Sequence, residues 1–415
     1  MRRRRMWTVV TLFVVGCLLW AGCTPAATPT PQVIVKRETE VVTIRETVVV
    51  PPTPVPSPPT EITLVDTNSG ANFQWYWQNV IVPAIQDQLG IKVNYVVGKI
   101  AEQTERMKAW EAGKGDVQLL FVKPDDIASI VKASIPLVKL WPDHKDDIPN
   151  LAKCPEDYLK IAQGVDIQGT GALYWRSQYM LMYNTQYVKN PPKSWKEFYE
   201  RRAEWKGHIG WIRPDAKSGA GRGLPYAFLN AFVPLTDAAG KAIPLADLQA
   251  KPEFKDAVTK LREFIKACKS AIPAEPPNMF EDFNAGDTWL AVYAMDFSLW
   301  SVSQGTMPPT LAAAALSDGV PAGSDGYLAI PANIPEAYKP VVMKIINYLL
   351  SDDQQIRLIT TMWQYTGTQI DEQVPDVVWR KIPKWSEVEK VRVRQTNKEV
   401  TDWIKTNGVK ELLGE

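Results

Sequence analysis

Between Glu61 and Lys132 the chain alternates short β-forming runs with amphipathic helical ones, and this alternation restricts the fold more than any other feature. Residues 61–66 (EITLVD) read as a strand that stops at the polar turn Thr67-Asn68-Ser69-Gly70. A helix is expected over 73–88, with Asn72 placed to cap it and Pro83 to kink or divide it. Gly90 ends that helix, and 91–96 (IKVNYV) form a second strand. Residues 102–111 read as a helix closed by Gly113, and 116–122 as a third, largely apolar strand of the kind found in covered parallel sheets. Lys123-Pro124 opens a short helix that Asp125 and Asp126 are placed to cap. The order β-α-β-α-β-α specifies a doubly wound α/β lobe. Open α/β sheets bind ligands at the carboxyl ends of their strands, which makes loops 67–72 and 123–126 the first candidate site, with Asn68, Ser69, Gly70 and Lys123.

The first sixty residues are of a different kind. Arg2 to Arg5 precede an apolar run from Trp7 to Trp20. A bilayer crossing needs about 20 apolar residues, so this shorter run reads as a signal peptide over 1–22. Leu19-Trp20-Ala21-Gly22-Cys23 resembles a bacterial lipobox, in which the cysteine is diacylated and becomes the first mature residue; Trp20 stands where the usual pattern has Leu. Lipidation at Cys23 and an extracytoplasmic location on the outer face of the cytoplasmic membrane are therefore expected. Residues 23–60 are rich in Pro, Thr and Val, which predicts a disordered tether with stiff, extended stretches. Within it Arg-Glu-Thr recurs at 37–39 and 45–47 in a β-branched segment that could also pair as strands.

Residues 61–415 are enough for two packed lobes. The formal charge of +1 falls to about −3 once Arg2 to Arg5 leave with the leader, and no basic stripe appears, so nucleic acid is not an expected partner. Of four cysteines, Cys17 lies in the leader and Cys23 is the lipid site; Cys154 and Cys268 are either a disulfide or two free thiols, and their spacing is not that of a metal site. Sixteen Trp residues is a high count, and Trp and Tyr serve both as core and as stacking faces for sugars, rings and organic cations.

Further strands are expected at 178–183, 208–212, 289–295 and 326–331. Ser194 with Glu197 forms a capping box for a helix running to about Trp205. A Gly-rich loop, 213–223, leads into a helix from about Leu224, and helices are expected over 254–268, 337–350, 352–362 and 385–405.

In this order, Gly90-Ile91-Lys92-Val93, the segment from Tyr183-Asn184 to Pro191-Pro192-Lys193-Ser194-Trp195-Lys196-Glu197-Phe198, Ser218-Gly219-Ala220-Gly221, the strand from Tyr327 to Asn333 and the segment from Ile346 to Gln355 resemble the type 2 periplasmic-binding-protein family, the solute receptors of ABC importers. The family loop reads Ser-Gly-Thr-Gly; Ala220 stands in place of Thr. The resemblance implies two doubly wound lobes joined by crossover hinge strands near 174–183 and 292–297, and a monomer that closes on a small solute and presents it to a membrane permease. On this frame 61–175 is the first part of lobe 1, 176–292 is lobe 2, and 293–415 returns to lobe 1 with C-terminal helices.

The expected cleft then gathers Trp175, Tyr183, Tyr293 and Trp300 from the crossovers, and Asp296 as an acceptor for a cation or a sugar hydroxyl or as a helix cap. Ser218, Gly219, Ala220, Gly221 and Arg222 are candidates to cradle an anionic group at a helix start, with Arg222 or Arg213 as charge partner. The aromatics favour a sugar or an organic cation and the Gly-rich loop a small anion, so the solute class stays open. No cofactor is implied. An enzyme is not expected: the two histidines are far apart, the Gly219-x-Gly221-x-Gly223 stretch lacks a Walker Lys, and Ser129-Ile130-Val131-Lys132 matches the Ser-x-x-Lys of penicillin-interacting enzymes without the partner motifs. A ligand-sensing or adhesion lipoprotein is the alternative to transport.

Overall fold

The computed structural model describes residues 57–67, 69–162, 164–216, 218–273 and 275–414, and only the backbone of Glu111 and Ala112. The leader, Cys23, the tether through Pro56 and the candidate Asn68 lie outside the described residues.

Two sheets organise the fold. The first has six strands in the order Tyr365–Thr366, Ala172–Arg176, Gly326–Ala329, Leu119–Val122, Glu61–Asp66 and Lys92–Val97. Glu61–Asp66 runs parallel to both of its neighbours, as the alternating sequence requires. Gly326–Ala329 is antiparallel to the strands beside it. Leu119–Val122 is buried on both faces, which explains its unbroken apolar sequence. The second sheet has four strands, Leu311–Ala314, Tyr179–Asn184, Leu290–Ala294 and Ile209–Gly210. There Tyr179–Asn184 is the antiparallel member, while Ile209–Gly210 and Leu290–Ala294 run parallel.

Most of the tryptophan surplus among the described residues is packing. Trp77 contacts Phe121 and Tyr174 beneath the first sheet at ring separations of 5.4 and 5.5 Å. Trp195 and Trp211, both fully buried, meet Phe264 under the second. Fully burying one large ring contributes about 1.5–3 kcal/mol.

Local structure departs from expectation where long-range contacts intervene. The first helix is continuous from Ala71 to Leu89, but Trp77–Ile81 is wound as a π-turn just ahead of Pro83. The wider turn accommodates the missing N–H and the proline ring without breaking the rod. Gly90, in the left-handed region at φ 70°, ends it. Ser194 accepts from the Glu197 N–H at 3.0 Å, and the Glu197 carboxylate reaches back to the Lys193 N–H at 2.8 Å, so the capping box forms with its return bond one residue early. The expected helix over 385–405 is broken into Trp385–Val388, the short strand Arg392–Val393 and Lys398–Gly408, because Arg392–Val393 pairs with Val320–Pro321.

The lobe boundaries expected at 293 also move. Leu311–Ala314 is still part of the second sheet, so the chain returns to the first lobe only between 315 and 325. The C-terminal helix Lys398–Gly408 packs on Ala220–Phe232 of the second lobe. The lobes are therefore joined by three segments, 176–179, 315–325 and 390–397, which lie side by side. Gly323 N–H donates to the Ser177 carbonyl at 2.8 Å and Ala322 N–H to the Val393 carbonyl at 2.9 Å. Cys154 and Cys268 are both buried free thiols, which settles that alternative; burial pushes the Cys154 thiol up to about 12.

Candidate functional site

A cavity of about 200 Å³ opens between the lobes. Lobe 1 lines it with Ser69, Gly70, Asn72, Phe73, Trp175 and Gln364, lobe 2 with Tyr179, Tyr293, Ala294, Asp296 and Phe297, and the connections with Ser177 and Ser324.

The lobe 1 wall starts from the end of Glu61–Asp66. Asp66 is buried and accepts from the Ser69 N–H at 2.9 Å and the Tyr95 hydroxyl at 2.5 Å, which folds the turn so that Gly70 precedes the helix. Asn72 does not cap that helix, whose first turn has no side-chain cap bond. Its amide instead donates across the cleft to Asp296 Oδ2 at 3.2 Å. Phe73 stacks on Trp175 at 3.9 Å between ring centroids.

The lobe 2 wall starts from paired strands. Tyr179 and Tyr293 lie on neighbouring strands with rings 5.8 Å apart and 21° from parallel. Asp296 follows in the first turn of the helix Met295–Ser303, only 6% exposed. Burial raises its carboxyl to about 6, against the lowering effect of the Asn72 amide and the N–H groups of its own turn. Burial and then the Asp296 charge push the Tyr179 hydroxyl up, and burial with Tyr179 does the same to Tyr293.

Of the residues singled out in the sequence, the cavity brings together Ser69, Gly70, Trp175, Tyr293 and Asp296. Ser218 and Gly219 stand beside it, behind Tyr179: a Cβ on Gly219 would lie 3.0 Å from the Tyr179 hydroxyl. The anion cradle does not form as expected. The helix begins at Ala220, four residues before the sequence reading put it, so Gly221, Arg222 and Gly223 occupy its first turn. Their N–H groups bond to the carbonyls of Ser218 and Gly219, and Ala220 N–H lies 3.3 Å from Ser218 Oγ. Gly221 is required by packing, since a Cβ there would sit 2.3 Å from the Arg213 carbonyl. Arg222 reaches across to Asp125 of lobe 1 at 4.0 Å, while Arg213 pairs with Asp215. Asp126 accepts from the Thr67 hydroxyl at 2.8 Å and ties two lobe 1 loops together. Lys123, half-buried before the helix Pro124–Lys132, does not line the cavity.

Tyr183 and Trp300 are the clear displacements. Tyr183 lies four residues beyond Tyr179 on the same strand, roughly 13 Å further into the lobe. Trp300 stacks behind Phe297 at 6.1 Å. Asn72 lies in the loop 67–72 that the sequence pointed to, although its expected role was a helix cap; Phe73, Tyr179, Phe297, Ser177, Ser324 and Gln364 were not expected as lining residues. A signal for Tyr179 existed. A strand entered directly from a crossover runs antiparallel to its neighbours, so its first residue, not its last, faces the cleft. Ser324, just ahead of Gly326–Ala329, follows the same rule.

Among the described residues no group of three or more His, Cys, Asp or Glu could hold a metal ion, and no helix is long and apolar enough to cross a membrane.

Two lobes over a solvent-open cavity, with the strand order found here, define a two-lobed binding protein. Residues 81–384 match the model of the bacterial extracellular solute-binding protein family, and the chain belongs to that family. Solved structures agree on the fold. A solute-binding protein of an ABC transporter from Thermotoga lettingae, bound with α-D-tagatose, superposes with a TM-score of 0.66 at 16% identity over 86% of this chain and 95% of that one. The spermidine/putrescine ABC transporter substrate-binding protein PotD from Streptococcus pneumoniae gives 0.62 at 13% identity over 85% and 99%. The maltose/maltodextrin-binding domain MalE from Bdellovibrio bacteriovorus, bound to maltotriose, gives 0.61 at 17% over 85% and 94%. Comparison with curated protein sequences gives no match.

Proposed function

We propose that this chain captures a small polar organic solute between its lobes and delivers it to the permease of an ABC-type importer, as a monomer held on the outer face of the cytoplasmic membrane by a lipid on Cys23. The observation that carries the reading is the cavity itself, walled by residues of both lobes and crossed by the Asn72–Asp296 bond. A solute seated there touches both lobes at once, so it stabilises the closed form over the open one, and closure is what a permease can read. The solute-binding family and the structural neighbours from ABC transporters support this use of the site. The site residues are those lining the cavity, with Ser218 and Gly219 behind Tyr179 and Arg222 at the rim; hydrolysis or group transfer is no part of the reading.

A thermal-shift screen over sugars, amines, carboxylates and phosphonates tests the receptor role. A true solute at a hundred times its Kd adds about 2.7 kcal/mol of stability. If no class of solute stabilises the protein, the receptor reading fails. The anchor has a separate test: radiolabelled palmitate should enter the wild type and not Cys23→Ala.

A further inference from the structure

We infer that the solute carries a protonated nitrogen: the cleft takes a small organic cation, with an N–H group on the Asp296 carboxylate and the carbon frame between the aromatic walls. This rests on the receptor reading and goes one step further, to the chemistry of what is received.

Four observations converge. The first is charge. The ionisable side chains lining the cavity are Asp296, Tyr179 and Tyr293; no Lys or Arg lines it. Among the described residues no basic side chain comes within ion-pair distance of Asp296. The Arg222 guanidinium is directed to Asp125 across the rim instead. A carboxylate buried this deeply without a counter-ion is costly unless something charged joins it. Its place in the first turn of Met295–Ser303 favours the ionised form through the helix dipole.

The second is the walls. Stacked Phe73 and Trp175 on one side face stacked Tyr179 and Tyr293 on the other, with Phe297 beside Asp296. Ring faces are negative, so an aromatic enclosure around one acid attracts cations and repels anions.

The third is an idle acceptor. Gln364 is 1% exposed and lines the same cavity. Its amide nitrogen donates to the Arg176 carbonyl, while its Oε1 has no hydrogen-bond partner. A buried carbonyl oxygen without a donor is expensive, and an N–H-bearing ligand supplies one. A quaternary ammonium has no N–H to give, so Gln364 selects for protonated amines, amidines or guanidines.

The fourth removes the competitor. The helix start at Ala220, the one feature that suggested an anion, has its first-turn N–H groups bonded within the chain.

Calorimetric titration decides the matter. The wild type is titrated with putrescine and agmatine as N–H cations, tetramethylammonium as a quaternary one without any donor, α-D-tagatose and maltotriose as neutral solutes, and citrate and phosphate as anions. Putrescine or agmatine should bind and tetramethylammonium bind at least about thirtyfold more weakly. Asp296→Asn, which keeps the side-chain volume, should lose at least about thirtyfold in cation affinity while its unfolding transition remains cooperative. Binding of a sugar or an anion in preference to the cations overturns the inference and leaves the receptor reading standing, as does cation binding that Asp296→Asn leaves within twofold. Equal binding of tetramethylammonium overturns the role of Gln364. Should Asp296→Asn fail to fold, the wild-type order of affinities still decides. Silence from every solute class in the wider screen takes the receptor reading down as well.

Discussion

Arg392 and Asp325 form an ion pair of 2.6 Å at the point where the three connections between the lobes run together, with the arginine side chain only 2% exposed. The guanidinium also donates to the Ser177 carbonyl at 2.7 Å and to the Tyr158 hydroxyl at 2.7 Å, and the Asp325 carboxylate accepts from the Ser177 N–H at 2.8 Å. One arginine from the third connection thus fixes the first and second. Arg392→Met takes the cation away from the buried Asp325 carboxylate, while the Ser177 carbonyl keeps the Gly323 N–H, and it should cost about 3–5 kcal/mol in urea unfolding. The double variant Arg392→Met, Asp325→Asn should recover part of that loss, because the uncompensated charge is gone.

Asp296 gives the protein an acid-side dependence of definite sign. Burial raises its folded carboxyl to about 6, from the ordinary aspartate value of 3.8, so the folded state holds the proton more tightly than the unfolded chain. Stability from this group is present below about pH 4 and falls as pH rises through 6, by on the order of 3 kcal/mol in all. The groups that face it are the hydroxyls of Tyr179 and Tyr293 and the Asn72 amide, none of which titrates in that window. In the absence of solute Asp296→Asn should therefore be more stable than the wild type at pH 7.5 and nearly equal at pH 4. Thermal melts across that range check it; a difference that does not grow with pH contradicts it.

Asn72→Ala removes a hydrogen bond that spans the cleft. A bond to a charged group is worth about 1.5–3 kcal/mol, so the closed form should lose at least about tenfold against the open one. Small-angle scattering of the solute-free variant should show a larger radius of gyration than the wild type. An unchanged radius, with melting also unchanged, would show that the bond does not hold the lobes.

Asn397 is the anchor of the C-terminal segment on lobe 2. Its side chain accepts from the Val400 N–H at 3.2 Å as a helix cap and donates to the carbonyls of Leu235 and Ile243 at 2.9 and 2.7 Å. Its own N–H lies 3.1 Å from the Tyr226 hydroxyl. Asn397→Ala should cost about 2–4 kcal/mol, and hydrogen exchange should rise first in 398–408 rather than across the whole chain.

What was legible in the sequence was what is local or periodic. The β-α alternation of 61–132 appears as a three-stranded parallel unit, and Asp352–Met362 falls where its pattern placed it. Trp175 and Tyr293 reached the cleft because they lie at strand ends, and Asp296 because it opens the helix just past one, where topology alone points. Tyr179 was passed over for Tyr183 because strand direction is a pairing property, absent from the segment itself. The Gly-rich stretch misled for a related reason: Gly219 and Gly221 answer to Tyr179 and to the Arg213 carbonyl, neighbours that folding supplies. The break near Arg392 was invisible for the same cause, since the partner strand lies some seventy residues away.

The path of the C-terminal segment has a mechanical corollary. Glu61–Asp66 begins the described fold in one lobe, and Lys398–Gly408 with the turn Val409–Leu413 ends it against the other. The two ends of the folded unit therefore ride on opposite jaws. A dye at each end is a ruler for the gape of the cleft, and a tug between them acts along the same coordinate as capture of the solute.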